Sequence, residues 1–399
     1  MEIKSKEKRI MMGTDCFYLA FIAWFSTEML VMSTVERVLF WSIQNLNSFT
    51  AALVLSIMII QIVAFQDYSH KELFIIVLFT LPIMLSAYNS EHRIWASSWL
   101  FIVASKYIDI NKMIDTIYKV QIIGMSLIFM LFATGQIHDI VTYRGNNIRH
   151  ACGFSHANFL GMMIFQLIVM RFYIKRVQIS MRDIALLAIA ILFTYAVPNS
   201  LSAVIVMIIF SVMTIIYLAV RAHEAVLYSF CKFLIFLMTL IAALSVLISC
   251  MGIRNSKVLK SIDQALSWRF SAGHMALKHY GITLFGQNIY SIVKRPIIGW
   301  TYNFFLDNSY MAILLRYGAI ILILFMVIYI SAMFYFLRQG NYYLVIILFL
   351  YGIYGVMETN LFSISKNIFL LALAYPIYSK EYKEETECLE RRRRIVFTM

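Results

Sequence analysis

The sequence has few charged residues, and this scarcity excludes most classes of soluble protein. Charged residues make up 14% of the 399 residues and hydrophobic residues 61%. Soluble domains have about 25% charged and about 45–50% apolar residues. Four prolines and fifteen glycines leave little material for flexible linkers. We therefore exclude a soluble enzyme, a disordered chain and, despite a net charge of +13, a protein that binds nucleic acid.

The sequence also lacks the common cofactor and metal motifs. The five cysteines are scattered, without a disulfide framework or a CxxC metal site. No P-loop, GxGxxG, HExxH or DxD motif is present. His150 with His156, and His274 with His279, are poorly spaced for a shared metal ion. We expect no cofactor and no metal, and the missing DxD disfavours a nucleotide-sugar donor, which often needs an acid pair for Mg²⁺.

Long, continuous apolar runs are what the sequence does contain. They are too long to be the alternating strands of about 10 residues that build membrane barrels. The runs predict an all-α, polytopic membrane protein of about twelve transmembrane helices, forming a single domain over 1–399. The predicted spans are 12–33, 44–65, 71–88, 93–108, 116–134, 154–174, 183–198, 200–220, 228–250, 309–336, 341–357 and 366–380.

The positions of the basic residues predict the orientation of these spans. With the N-terminus inside, 21 of the 34 Lys and Arg residues fall on the cytoplasmic side and only five in short outside loops. The positive-inside rule therefore predicts that both termini are cytoplasmic. The tail, 381–399, contains a run of four arginines, Arg391 to Arg394, and we expect it to contact anionic membrane lipids.

Two predicted outside loops, 135–153 and 251–308, interrupt the apolar pattern. The larger loop is rich in aromatic residues, so we expect it to fold against the membrane surface. Helical spacing over 257–280 predicts one amphipathic helix at the interface. Arg269 projects from its apolar stripe, and the only acid in 251–306 is Asp263, almost opposite. We therefore expect Arg269 to bind an anion; the alternatives are that it snorkels or pairs with a carboxylate.

Three short motifs follow one another between residues 149 and 318. They read Arg149-His150-Ala151-Cys152-Gly153-Phe154-Ser155-His156-Ala157-Asn158 followed by Gly161, Ser267-Trp268-Arg269-Phe270 with Leu284-Phe285-Gly286, and Leu306-Asp307-Asn308-Ser309-Tyr310 with Leu314-Leu315 and Tyr317-Gly318. Their order resembles the R-x(3)-G-F-x-H-P-N-x-x-G, GR…LFG and DNSY..LL…G motifs of the Wzy-type O-antigen and capsular repeat-unit polymerases, a family related to the O-antigen ligases. Ala157 replaces the usual Pro and Trp268 the usual Gly. The turn 198–202 lacks the arginine of the family's Ser-Arg-Ser or Ser-Arg-Thr turn.

This resemblance implies a GT-C-like glycosyltransferase in the bacterial cytoplasmic membrane. Such an enzyme transfers a growing glycan from undecaprenyl pyrophosphate to a new lipid-linked repeat unit on the outer face. Its partners would be the undecaprenyl-pyrophosphate-linked oligosaccharide, membrane lipids, and the flippase and chain-length regulator of the same pathway.

Residue roles follow from the chemistry of that reaction. The leaving pyrophosphate needs cationic ligands, and we expect Arg149 and Arg269 to supply them. Acceptor activation calls for a base, for which the candidates are His156, His279 and Asp307. The structural alternatives are helix capping for Asp307 and capping or packing for His156.

Two further residues complete the predicted substrate site. Asn158 is expected to orient His156 or the start of the helix. Tyr310 is expected to hold a sugar hydroxyl or a phosphate, or to belong to the interfacial aromatic belt.

A polysaccharide flippase is the main competing function. Asp15, Glu28, Arg316 and Glu358 are charges within or at the ends of predicted spans, where charges are often functional. Glu28 is the best buried of these by position, and a proton-coupled transporter would need such a residue. Asp15 and Glu358 lie near span ends and are expected to be solvated. An O-antigen ligase differs from the polymerase only in its acceptor.

Overall fold

The computed structural model of the chain describes residues 2–39, 42–253, 256–289, 295–297, 300–302 and 305–378. Helices dominate it: α1 Glu2–Val31, α2 Ile43–Ile60, α3 His70–Ser90, α4 Ile94–Ala104, α5 Ile110–Ala133, α6 Ala157–Ile174, α7 Met181–Ala196, α8 Leu201–Val220, α9 Glu224–Met251, α10 Lys257–Ala265, α11 Arg269–Tyr280, α12 Ser309–Ala312, α13 Ala319–Arg338 and α14 Tyr342–Met357. Two antiparallel hairpins pair β1 Val141–Arg144 with β2 Asn147–His150, and β3 Arg295–Ile297 with β4 Trp300–Tyr302. Short 3-10 helices cover Val35–Arg37 and Ile368–Ala374, and π-helical turns cover Gln61–Phe65 and Ile313–Tyr317.

Eight helices within the described ranges are long and apolar enough to cross a membrane. They are α1, α2 with its π-helical turn, α3, α5, α6, α8, α9 and α13. This is the architecture of an all-α polytopic membrane protein.

The predicted count of twelve spans is not confirmed. The segments 93–108, 183–198 and 341–357 form helices of 11, 16 and 16 residues. At 1.5 Å per residue, 16 residues cover about 24 Å, less than the ~30 Å of a bilayer core. Within 366–380 the described residues form only the seven-residue 3-10 helix Ile368–Ala374. The tail 381–399 lies outside the described residues.

The core of the molecule surrounds α14 rather than a long span. Nearly every residue of α14 is buried, as is the whole of Ile368–Ala374. Both segments are apolar on all sides, and a helix of that kind is buried inside a larger protein. α14 packs against α8 and α9, so its C-terminal end is held within the bundle.

The predicted continuous helix over 309–336 is wrong, because the helix is interrupted at Gly318. The segment 284–287 packs against this interruption through backbone hydrogen bonds. Ile320 N donates to Leu284 O at 3.2 Å, and Gln287 N donates to Arg316 O at 3.0 Å. Gly318 has φ +101°, and a Cβ there would lie 2.4 Å from Leu284 O. The close approach of two backbones therefore requires glycine at this position.

The predicted single helix over 257–280 is also wrong. Ser267 and Trp268 adopt left-handed conformations, with φ 57° and 62°, and separate α10 from α11. The fully buried Asp263 side chain accepts hydrogen bonds from Phe270 N (2.8 Å) and Ser271 Oγ (2.6 Å). The carboxylate thus supports the first turn of α11 and directs Arg269, its first residue, towards α14.

Candidate functional site: a network around two arginines

Arg149 is a buried guanidinium that is bonded to neutral oxygen atoms. It lies on β2 with 5% of its surface exposed. Its Nε donates to Pro198 O at 3.0 Å, and one terminal nitrogen donates to Asn158 Oδ1 at 2.5 Å. Burial and the nearby charge of Arg144 lower the pKa of Arg149 to about 10, so it stays protonated at neutral pH. A buried charge without a counterion is costly, and an incoming anion would relieve that cost.

Asn158 connects Arg149 to α14. It is the second residue of α6, and its Nδ2 donates to Glu358 Oε1 at 3.0 Å. The start of α6 lies against the turn before α8, since a Cβ at Gly161 would be 2.4 Å from Ser200 Cβ. This close contact explains the glycine of the first motif and brings Ser202 within 3.1 Å of the same Glu358 oxygen.

Glu358 is the centre of the network. Its carboxylate is 14% exposed and accepts hydrogen bonds from Asn158, Ser202 and Arg269, the last at 3.4 Å. The expectation that Glu358 is a solvated span end is therefore wrong. The sequence did carry a signal, because Glu358 is the only acid between Asp307 and Glu381. An isolated carboxylate after an apolar helix needs partners inside the fold.

Arg269 joins the network from the other side. It forms ion pairs with Asp307 and with Glu358, and its side chain is 13% exposed. Of the alternatives for Arg269, the structure shows pairing with a carboxylate, and both partners lie outside the window 251–306. Its Nε is buried and has no hydrogen-bond partner among the described residues, so the guanidinium is only partly satisfied.

The third motif supplies three side chains to this region, each with a different contact. Asp307 pairs with Arg269, while Asn308, not Asp307, caps α12 by accepting from Tyr310 N at 3.0 Å and Met311 N at 3.2 Å. Ser309 Oγ donates to the Glu358 backbone carbonyl at 2.6 Å. The capping alternative for Asp307 is thus wrong, and its carboxylate is available to the network.

Two predicted site residues lie away from the network. Tyr310 is fully buried, and its hydroxyl donates to Gly352 O at 2.8 Å inside the bundle. His279 is exposed near the end of α11 and stacks edge-on against its neighbour Tyr280. Ten residues of helix place His279 about 15 Å along the axis from Arg269.

His156 caps α6, as its structural alternative predicted. Its Nδ1 accepts from Asn158 N at 3.0 Å, so the neutral ring carries its proton on Nε2. Burial, and then the positive charge of Arg149, lower the pKa of His156 below its usual value. The neutral imidazole is a hydrogen-bond donor through Nε2, and its capping bond occupies the nitrogen that a base would use.

Arg144 is a further cation that the sequence argument did not select. It ends β1, and its guanidinium donates to Asn199 O at 3.0 Å. Beyond the effect of burial, the positive charge of Arg144 lowers the pKa of Arg149, and the positive charge of Arg269 lowers the pKa of Arg144. Three arginines thus surround two carboxylates, Asp307 and Glu358. We call these five residues, with Asn158 and Ser202, the arginine network; it has a net positive charge and planar donors suited to phosphate oxygens.

No protein-family model matches this chain, and neither the curated proteins nor the solved structures include a significant match. The function is therefore argued from the chemistry of the network.

Proposed function

We propose that this protein is a Wzy-type polymerase of lipid-linked oligosaccharide repeat units. It takes a growing glycan from undecaprenyl pyrophosphate and joins it to a new lipid-linked unit on the outer face of the bacterial cytoplasmic membrane. The product is a capsular, O-antigen or other exported polysaccharide.

The observation that carries this proposal is the buried Arg149 linked to Arg269 through Asn158 and Glu358. Both arginines belong to motifs that resemble those of the polymerase family, although 120 residues separate them in sequence. A pyrophosphate entering the network would satisfy the donors of Arg149 that now bind neutral oxygens. It would also offer a partner to the unpaired Nε of Arg269.

The arginines act on the leaving group. As the bond between the sugar C1 and the pyrophosphate oxygen breaks, its electron pair moves to the pyrophosphate. Cations whose contacts strengthen as this charge develops lower the barrier. Removing one such donor from an enzyme typically lowers the rate by about 100- to 1000-fold.

Asp307 is the candidate base for the acceptor. Its side chain is 28% exposed, twice the fraction of Glu358, and capping does not occupy it. The acceptor oxygen forms the new bond to C1, and its proton passes to the Asp307 carboxylate and then to solvent. His156 contributes as a donor through Nε2, and no metal ion is needed in this scheme.

In this proposal Arg144 compensates for the arginine that the turn 198–202 lacks. The turn still contributes its backbone, since Pro198 O accepts from Arg149 and Asn199 O accepts from Arg144. The hairpin β1–β2 therefore places a cation against the turn 198–202, which has no arginine of its own.

The test is Arg269→Ala in cells that make the native polysaccharide. We expect single repeat units on the outer leaflet and a loss of long chains of about 100-fold or more, with normal protein abundance. Arg182→Ala, at an exposed residue of α7 remote from the network, is the matched control and should leave chain length unchanged. Long chains in the Arg269→Ala cells would contradict the proposal.

The same experiment separates the polymerase from a flippase. A transporter defect would leave the lipid-linked units on the inner leaflet, whereas a polymerase defect leaves them outside. A ligase defect would instead leave complete polymer attached to its lipid carrier.

A further inference from the structure

A second polar site lies beside the arginine network and is used by none of the roles above. Its charged members are Glu28 of α1 and Lys366, which follows α14 in the chain. Both side chains are partly exposed, whereas the adjoining Ser363 and Ser365 are buried. Both charged side chains therefore keep some accessible surface in an otherwise buried part of the bundle.

Contacts fix this site about one helical turn from the first motif. Ser155 N donates to Met32 O at 2.8 Å, which ties the end of α1 to the start of α6. Glu28 is four residues before Met32, and Phe159 is three residues after His156, so both lie about one turn further into the bundle. The rings of His156 and Phe159 are 6.1 Å apart.

Lys366 lies beside α6. Its Nζ lies 5.2 Å from the centre of the Phe159 ring, and it makes no hydrogen bond or ion pair with the described residues. Glu28 Oε2 accepts only from Ser365 Oγ, at 3.2 Å, in the described part of the chain. The site thus offers three unused ammonium protons and carboxylate lone pairs next to an apolar ring.

Electrostatics decide what this site can hold. The charges acting on Lys366 are mainly the carboxylates of Glu358, Glu28 and Asp307, with Arg316 as the opposing cation. Around Lys366 these three carboxylates outnumber the two cations, Lys366 and Arg316, so a second phosphate would be repelled. A hydroxyl group donates to a carboxylate and accepts from an ammonium, so a neutral, polyhydroxylated ligand satisfies both charges.

We propose that Glu28 and Lys366 bind a sugar residue of the lipid-linked glycan while the arginine network holds its pyrophosphate. This inference rests on the proposed function, because it assigns the glycan part of the same substrate. Glu28 accepts hydrogen bonds from sugar hydroxyls, Lys366 donates to them, and Phe159 forms the apolar wall.

The test measures binding of two lipids to the purified, full-length protein in nanodiscs. One lipid is undecaprenyl pyrophosphate without a glycan, and the other is the lipid-linked repeat unit extracted from the native host. Wild-type protein should bind the glycosylated lipid at least about 10-fold more tightly, since sugar contacts add to those of the pyrophosphate. Glu28→Leu and Lys366→Met should bind both lipids with the affinity of the unglycosylated one.

Unchanged binding of undecaprenyl pyrophosphate shows that each variant is folded. Lys119→Met, at an exposed lysine of α5, is the matched control and should keep the wild-type preference. The inference is overturned if both variants keep that preference, if wild type shows none, or if the variants lose both lipids. If wild type binds neither lipid, the proposed function itself fails.

Discussion

His156 shows how a single side chain can be committed by its hydrogen bonds. Because Nδ1 caps α6, protonating that nitrogen would remove the cap. Burial, and then the positive charge of Arg149, lower the pKa of His156, so they too favour the neutral ring. At neutral pH His156 therefore caps α6 and can donate a hydrogen bond through Nε2, rather than act as a base.

This preference predicts how stability depends on pH. In the unfolded chain the histidine takes up a proton near pH 6.5, whereas in the folded protein it does so only at lower pH. The His156 contribution is thus fully present above about pH 6.5 and is lost as pH falls towards the folded pKa. Thermal unfolding in detergent should show a smaller loss of stability between pH 7 and 5 in His156→Asn, since asparagine also caps helices. An unchanged pH profile would contradict this assignment.

Glu358 shows what a residue-by-residue interpretation of the sequence misses. Its partners Asn158, Ser202 and Arg269 lie 200, 156 and 89 residues away. Arg149 and Arg269 could be selected from motifs, because each motif is local. The isolation of Glu358 after an apolar helix indicates that it needs partners inside the fold, but no local pattern shows which distant residues supply them.

At the scale of elements, the contact between Leu284–Gly286 and the break at Gly318 holds the third motif in place. The apolar run continues through 309–336, so the sequence pattern predicts one helix there. The break depends on a distant segment that supplies hydrogen bonds to the exposed backbone. The apolar spacing likewise predicts α10 and α11 as one helix, because it does not reveal the left-handed conformations of Ser267 and Trp268.

Gly318→Ala is expected to destabilise the protein by about 2–5 kcal/mol. Alanine at φ +101° is strained, and its Cβ would press on Leu284 O. Gly340→Ala is the matched control, because Gly340 has φ +70° and open space around it; its cost should be about 1–2 kcal/mol. Thermal unfolding in detergent measures both. Equal losses would show that the backbone contact contributes nothing.

At the scale of the whole molecule, the distribution of basic residues predicts which segments face each side of the membrane, and this can be tested. Tyr143, 73% exposed on β1, should face the outside, and the exposed Arg182 of α7 should face the cytoplasm. In a background without native cysteines, a membrane-impermeant maleimide added to intact cells should label Tyr143→Cys. It should label Arg182→Cys only after the cells are lysed. The reverse labelling pattern would show that the predicted orientation is wrong.

The sequence by itself determined that this protein is helical and built for a membrane, because apolar composition and continuous runs depend only on local solvation. It also indicated the arginines and the DNSY stretch, through motifs that are local in the chain. Only the tertiary structure decided that α14 is the buried centre, that Glu358 joins Arg149 to Arg269, and that Glu28 and Lys366 lie near each other. These arrangements depend on contacts between segments far apart in sequence, whose partners must satisfy each other's charge and hydrogen bonds once water is excluded.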